Sequence, residues 1–155
     1  MNTVVSHSSL QSYFCKSLHS ALLNQNVHAS DHTVIYLSSL LENFARSDNL
    51  FDYTEDGPRI KPLALYYADA VSAENKHQRT QALRKLGDVA LFISGIFSQS
   101  LATKVVDIDY YVAMGGSAYS YLHDEFEHID CQHAFSIIYY ELSSRFVQFT
   151  DVLAE

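Results

Sequence analysis

Apolar residues recur every three or four positions along most of the chain, which is the spacing of a helix that buries one face. Six such stripes follow one another. In chain order they contain Leu10, Phe14, Leu18, Ala21 and Leu22; Val34, Leu37, Leu41 and Phe44; Leu63, Tyr66, Tyr67 and Ala70; Leu83, Leu86, Ala90, Ile93, Phe97 and Leu101; Ile108, Tyr111, Val112, Gly115, Ala118, Tyr119 and Leu122; and Phe135, Ile138, Leu142, Phe146, Phe149 and Leu153. No strand pattern of comparable length separates them. The sequence therefore predicts an all-α fold, either a compact six-helix bundle or an orthogonal α domain.

Length and composition fit one domain. The chain has 155 residues, of which 48% are hydrophobic and 18% are charged. A chain of this size can bury a core without disulfides or metals, and its composition excludes a disordered protein. We therefore expect residues 1–155 to form a single helical domain. Residues 47–61 are rich in aspartate, asparagine, glycine and proline, which predicts a loop.

Three features predict a cytoplasmic protein without a membrane partner. The most apolar run, residues 89–97, is about half as long as a helix that crosses a bilayer. The first ten residues lack the charged and apolar regions of a signal peptide. Cys15 and Cys131 are far apart and form no disulfide framework, which is typical of a reducing compartment.

Charge is distributed unevenly around the net value of −8. Residues 1–58 carry two basic and six acidic side chains, residues 59–104 carry seven and three, and residues 105–155 carry one and nine. So acidic a protein lacks the lysines and arginines that neutralise phosphates, and we expect no general nucleic-acid partner. The basic middle segment is the part that favours an anionic ligand or an acidic protein partner.

The richest group of metal-ligand types lies in residues 123–133, which hold three histidines, four carboxylates and a cysteine. Mixed imidazole and carboxylate sets suit Zn, Fe, Mn or Ni, and the candidate ligands here are His123, Glu125, His128 and His133. Glu125 and His128 have the Glu-x-x-His spacing of di-iron bundles, but such a bundle needs further ligands on facing helices. The segment predicts either a divalent-metal site that includes His128 or a solvated acidic linker.

A second candidate is the basic start of the fourth predicted helix. Lys76, Arg79 or Thr80, and Arg84 lie near one face of that helix, because residues three or four positions apart are neighbours on a helix surface. This face predicts either a binding surface for an anion or acidic partner, or a solvated surface that pairs with acidic parts of the same chain. Asp88 lies four residues after Arg84 and borders the apolar run, so the two residues predict a buried structural ion pair.

A third candidate is the run of small residues 113–118 in the fifth predicted helix. Glycine costs about 1 kcal/mol inside a helix, so Gly115 and Gly116 indicate close approach of another helix or room for a ligand or partner. With Tyr119 and Tyr121 beside them, they also predict a self-association surface, because tyrosines supply contact area at low entropic cost.

Residues 86–88, 106–111 and 118–122 resemble parts of a family of bacterial helical proteins to which we attach no activity. The resemblance covers about a quarter of the chain and implies a bacterial cytosolic origin.

No segment carries a motif specific enough to name a reaction. The sequence therefore favours a non-catalytic helical interaction or regulatory module that acts as a homo-oligomer or through a protein partner. The alternative is a metal- or small-ligand-binding helical protein, with or without catalysis, whose site lies around residues 123–133.

Overall fold

The computed structural model describes residues 7–46, 51–54, 57–97, 108–127 and 133–155. In chain order they form α1 (His7–Gln25), α2 (Asp31–Ala45), β1 (Phe51–Thr54), β2 (Gly57–Ile60), α3 (Leu63–Val71), α4 (Lys76–Ile96), α5 (Ile108–Glu127), α6 (His133–Ser144) and α7 (Phe146–Ala154). The predicted helical fold is confirmed. The predicted count of six helices is wrong, because the described ranges contain seven.

The additional helix arises because the last predicted stripe is divided at Arg145. This residue has φ −126° and ψ 34°, which lie outside the α-helical region. Its guanidinium donates a hydrogen bond to the backbone carbonyl oxygen of His28, which holds the break against the loop before α2. Phe146 and Phe149 are buried after the break, so the apolar pattern was correct while the continuity of the helix was not.

The segment predicted as a loop, residues 47–61, contains a short antiparallel hairpin instead. Phe51 pairs with Ile60, and Thr54 pairs with Gly57. Strands of four residues are too short to show a clear alternation of apolar and polar residues, and turn-forming residues surround them. The aromatic residues before the Asp56-Gly57 dipeptide were the available signal for a hairpin.

Helix α2 begins at a cap that also joins it to α6. The Ser30 hydroxyl accepts a 3.3 Å hydrogen bond from the backbone N–H of Thr33, which satisfies one free donor of the first turn. The backbone N–H of Ser30 itself donates to both carboxylate oxygens of Glu141, at 3.0 and 3.1 Å. The largely buried Glu141 carboxylate therefore fixes the start of α2 against α6.

Helix α4 is central to the core, as its sequence pattern predicts. It packs against α3, α5 and α7, while α5 packs against both α4 and α6. Its first turns carry exposed polar residues, whereas Ala90, Leu91 and Ile93 are fully buried. Residues 84–88 therefore lie where the solvated half of α4 enters the core. No helix in the described ranges is long and apolar enough to cross a membrane.

Candidate functional site

Asp88 of α4 lies where three other helices contribute tyrosines. Tyr36 of α2 donates a 2.6 Å hydrogen bond to Oδ1 of Asp88, and Tyr119 of α5 donates a 2.7 Å hydrogen bond to the same oxygen. Both tyrosines are buried. Short O–H···O⁻ bonds of this kind are among the strong hydrogen bonds in proteins, so one carboxylate oxygen is firmly held.

The second carboxylate oxygen has a weaker partner. Oδ2 of Asp88 lies 3.9 Å from Nε of Arg84, which makes an ion pair beyond hydrogen-bonding distance. The Arg84 guanidinium also lies over the ring of Tyr36, 5.2 Å from its centroid. The predicted ion pair is thus present, but its arginine side chain is 43% exposed and its aspartate side chain 17% exposed.

A third tyrosine completes the cluster from α6. The ring of Tyr139 stacks on Tyr119 with centroids 5.8 Å apart and meets Tyr36 edge-on at 5.7 Å. Gly87 lets the rings approach α4 this closely, because a Cβ at that position would lie 2.7 Å from Cε1 of Tyr119. A side chain there would push Tyr119 away from its place beside Asp88.

Burial determines the electrostatics of this cluster. It raises the pKa of Asp88 from 3.8 to about 6, although the hydrogen bonds from Tyr36 and Tyr119 and the charges of Arg84 and Lys85 oppose the shift. Burial also raises the pKa of Tyr36 and Tyr119 well above 10. The phenols therefore remain protonated donors near neutral pH, while the carboxyl group changes charge there.

Two clefts flank Arg84. The first, which we call the polar cleft, has a volume of about 350 Å³ and is lined by Leu40, Asn43, Phe44, Gln81, Arg84, Lys85 and Asp88. The second, the aromatic cleft, has a volume of about 380 Å³ and is lined by Lys76, His77, Thr80, Gln81, Arg84, Phe126, Phe135 and Tyr139. Arg84 and Gln81 border both.

One wall of the aromatic cleft consists of three rings from α5 and α6. Phe126 lies 5.6 Å from Phe135 and 5.7 Å from Tyr139, and the Phe135 and Tyr139 centroids are 6.2 Å apart. The planes are inclined to one another by 33°, 25° and 20°, so the rings face in similar directions. The opposite wall is the polar face of α4, and no carboxylate is among the described residues that line the cleft.

The basic residues of α4 take different positions around this cleft. Lys76 and Arg84 line it, whereas Arg79 does not. At 3.6 residues per turn, Arg79 is rotated away from the face shared by Lys76, Thr80 and Arg84. The charge of Lys76 is already paired, because its Nζ lies 2.7 Å from Oε2 of Glu125. Arg84 is therefore the principal cation for an incoming anion.

The predicted metal ligands are not brought together in the described residues. Glu125 forms the ion pair with Lys76, which lowers the pKa of its carboxyl group. His133 is exposed at the first position of α6, and His128 lies outside the described residues. His123 instead comes near Asp124 and Glu127, with potential ligand atoms within 4.8 Å of one another.

The orientation of His123 is set by α6. Its Nδ1 lies 3.0 Å from the backbone carbonyl oxygen and 3.2 Å from the hydroxyl oxygen of Ser136. Its Nε2 lies 3.9 Å from Oε2 of Glu127. The two carboxylates are exposed, so this arrangement also suits a solvated helix end. The metal site stays a prediction.

Gly115, Gly116 and Tyr119, which the sequence predicts at a binding or self-association surface, do not share one exposed face. Gly115 faces the core, where a Cβ would lie 2.6 Å from Phe146 and 2.8 Å from Cβ of Ala90. Tyr119 is fully buried, so neither residue lies on an exposed surface. Gly116 faces outward, since a Cβ there would meet nothing within 4 Å. Close helix packing, the alternative interpretation, accounts for Gly115.

Sequence reasoning missed Tyr36, Tyr139 and Phe135 as site residues. Phe135 belongs to an apolar stripe that core packing explains, whereas Tyr36 and Tyr139 lie outside the stripes predicted for their helices. Tyr36 lies 52 residues from Asp88 along the chain, so no local spacing joins them. The available signal was Asp88 itself, since a carboxylate next to an apolar run needs buried donors.

Comparison with known proteins adds no relative. No family model, curated protein or solved structure matches the chain. The bacterial origin implied by the resemblance of residues 86–88, 106–111 and 118–122 therefore stays a prediction.

Proposed function

We propose that this protein is a helical ligand-binding module whose aromatic cleft takes a small molecule with a flat apolar body and one anionic group. The observation that carries the proposal is the position of Arg84. Its guanidinium borders the same cleft as the stacked rings of Phe126, Phe135 and Tyr139. A cationic, aromatic cleft with no carboxylate among the described residues that line it is unexpected on a chain with a net charge of −8.

The size and lining of the cleft favour a small ligand. Its volume of about 380 Å³ lies within the roughly 300–1,000 Å³ of ordinary ligand pockets. Such pockets combine an apolar lining with a few polar groups that fix orientation. Here the partly buried rings of Phe126 and Phe135 would contact the flat body, with the buried ring of Tyr139 packed against them. Thr80, Gln81 and Arg84 would contact the polar end.

Arginine suits the anionic end better than lysine would. Its planar guanidinium can bind a carboxylate, sulfonate or phosphate through two parallel hydrogen bonds. Contact with the Tyr36 ring holds the Arg84 side chain near one position. A group held in place loses less conformational entropy on binding, which favours affinity.

Self-association through the outer face of α5 is a second proposal, supported by a different observation. Gly116 has open space where a side chain would project. Tyr110 and Tyr121 are 39% and 37% exposed, and both lie on the same helix. Tyrosine is enriched at protein interfaces, but at 3.6 residues per turn Tyr110 and Tyr121 lie roughly 120–140° around the helix from Gly116. The proposal therefore rests on the open space at Gly116.

Calorimetric titration with naphthalenesulfonate, an aromatic anion of constant charge, tests the ligand proposal. We expect saturable binding, with about tenfold weaker affinity for Arg84→Gln, because a hydrogen bond to a charged group contributes about 1.5–3 kcal/mol. Arg79→Gln is the matched control, since it removes the same charge from the same helix outside the cleft. Naphthol, which lacks the anionic group, is the matched probe.

Two outcomes would contradict the ligand proposal. If Arg84→Gln and Arg79→Gln weaken binding equally, the protein attracts anions through its general field and not through the cleft. If naphthol binds as tightly as naphthalenesulfonate, the cleft does not recognise the anionic group. Thermal melts of both variants under the same conditions establish that each is folded.

A further inference from the structure

Arg84 lies between the Asp88 carboxylate and the aromatic cleft, so Asp88 and a bound anion would both attract its positive charge. On one side its Nε lies 3.9 Å from Oδ2 of Asp88. On the other side the residue lines the aromatic cleft. The separation from Asp88 exceeds hydrogen-bonding distance, so the guanidinium donors are not committed to the carboxylate. An anion in the aromatic cleft would therefore bind the same cation that now compensates Asp88.

The groups that face Asp88 come from four helices. Tyr36 of α2 and Tyr119 of α5 donate hydrogen bonds to Oδ1, and the charge of Asp88 helps burial to raise the pKa of Tyr139 of α6. Arg84 and Lys85 of α4 supply positive charge. The three phenols have raised pKa values, the last of about 12, and the pKa of Arg84 is raised as well. The carboxyl of Asp88 is the group of this cluster whose pKa is moved toward neutral pH.

We propose that anion binding in the aromatic cleft is coupled to protonation of Asp88 through Arg84, so that the ligand binds together with a proton and binds more tightly as pH falls. This inference rests on the proposed function. The bound anion places a negative charge beside Arg84 and offsets the positive charge that stabilises ionised Asp88. The carboxylate then takes up a proton from solvent.

The geometry gives the proton a defined position. Oδ1 already accepts hydrogen bonds from Tyr36 and Tyr119, and it continues to accept them when the acid is neutral. Oδ2 accepts no hydrogen bond from the described residues. The proton therefore goes to Oδ2, on the side that faces Arg84. The neutral acid no longer attracts the guanidinium, which is then fully available to the anion.

The direction of the pH effect follows from these positions. Without ligand, burial holds the pKa of Asp88 at about 6. A bound anion raises that pKa further, because it adds like charge near the carboxylate. Below about pH 6 the acid is already neutral and affinity is highest. As pH rises, ionised Asp88 competes for Arg84 and the dissociation constant increases. Thermodynamic linkage requires that, if the anion raises the pKa of Asp88, protonation of Asp88 strengthens anion binding to the same extent.

The test is calorimetric titration of the full chain with naphthalenesulfonate between about pH 5 and about pH 8. Buffers of different ionisation enthalpy report proton uptake directly. We expect the dissociation constant to rise about fivefold or more over this range, which is the lower end of ordinary coupling between sites. We also expect net proton uptake on binding near pH 6, close to the pKa of Asp88.

Two variants identify the group responsible. Asp88→Asn mimics the protonated acid. At high pH this variant should bind naphthalenesulfonate with the affinity that the unsubstituted protein shows at low pH. Its dissociation constant should not depend on pH. His77 also lines the aromatic cleft, and histidine is the residue type most often responsible for pH dependence in proteins, so it is the necessary control. His77→Gln should therefore retain the pH dependence.

The outcomes separate this inference from the proposed function. Tight binding that is independent of pH overturns the inference and leaves the proposed function intact. The same holds if the pH dependence survives in Asp88→Asn and disappears in His77→Gln. If naphthalenesulfonate does not bind at any pH, both the proposed function and the inference are wrong.

Discussion

The hydroxyl of Tyr119 in α5 donates a 2.7 Å hydrogen bond to Oδ1 of Asp88 in the neighbouring helix α4. Tyr36 of α2 donates to the same oxygen at 2.6 Å. One carboxylate therefore joins three helices at the border of the core. The contact stabilises the position of the carboxylate, but it does not remove the cost of placing a charge there, since burial still raises the pKa of Asp88.

This cost predicts that Asp88→Asn stabilises the protein at high pH. The pKa of Asp88 is about 6 in the folded protein and 3.8 for the isolated group. The stability contributed by this raised pKa is fully present below about pH 3.8 and is lost as pH rises through about 6. Asparagine keeps an acceptor for both tyrosines and carries no charge. At about pH 8 we expect the variant to gain up to roughly 3 kcal/mol in unfolding free energy, measured in urea.

The advantage of Asp88→Asn should shrink as the pH is lowered toward 4, because the unsubstituted protein then becomes neutral at the same position. Comparing the two proteins at each pH cancels the titration of all other groups. A variant that is less stable than the unsubstituted protein at about pH 8 would mean that the ionised carboxylate stabilises the fold.

Gly115 and Gly116 provide a matched pair within α5. Gly115→Ala should destabilise the protein by about 1–3 kcal/mol, since its Cβ would lie 2.6 Å from Phe146 in the core. Gly116→Ala should stabilise it by up to about 1 kcal/mol, because alanine favours the helix and meets open space. Thermal unfolding monitored by circular dichroism measures both. Equal changes in stability for the two substitutions would show that Gly115 and Gly116 do not face the core and solvent, respectively, as they do in this structure of α5.

The proposed self-association predicts a dimer that depends on Gly116. Gly116→Leu projects into open space in the monomer, so it should leave the melting temperature of a dilute sample nearly unchanged. In a dimer that packs on this face it would separate the two helices. Light scattering across a concentration series should show dimers for the unsubstituted chain and weaker association for Gly116→Leu. A strict monomer at high concentration would remove the proposal.

The metal hypothesis now depends on His123 more than on the other predicted ligands in the described residues. It predicts stoichiometric metal in protein purified without a histidine tag, and a melting temperature that falls when chelator is added. His123→Ala should abolish both effects, while His133→Ala, at the exposed start of α6, should not. Protein without metal, with a melt unchanged by chelator, would identify the segment as a solvated linker.

The helices were predictable because their apolar spacing is local information. Val34, Leu37 and Leu41 recur at helical intervals, and all three are buried in α2. The break at Arg145 was not predictable, because no glycine or proline marks it and its hydrogen-bond partner, His28, is 117 residues away along the chain. The helical spacing of apolar residues continues through this break, because α6 and α7 both bury their part of the last predicted stripe.

The site was predictable only in part, for the same reason. Arg84 and Asp88 lie four residues apart on one helix, so their pairing follows from sequence. The aromatic wall requires α5 and α6 to bring Phe126 and Phe135 together, and their rings occupy core-like positions that resemble ordinary packing. Gly116 and Gly115 are adjacent and chemically identical, and only their surroundings show which one faces the core.

The proposal that the aromatic cleft binds an aromatic anion beside Arg84 is tested most directly by locating the bound ligand. Nuclear magnetic resonance of the complex with naphthalenesulfonate can measure contacts between ligand protons and protein rings. The account predicts contacts to Phe126, Phe135 and Tyr139 together with shifts of the Arg84 side-chain signals. Contacts confined to Phe44 and Leu40 of the polar cleft, or to residues outside both clefts, would contradict it.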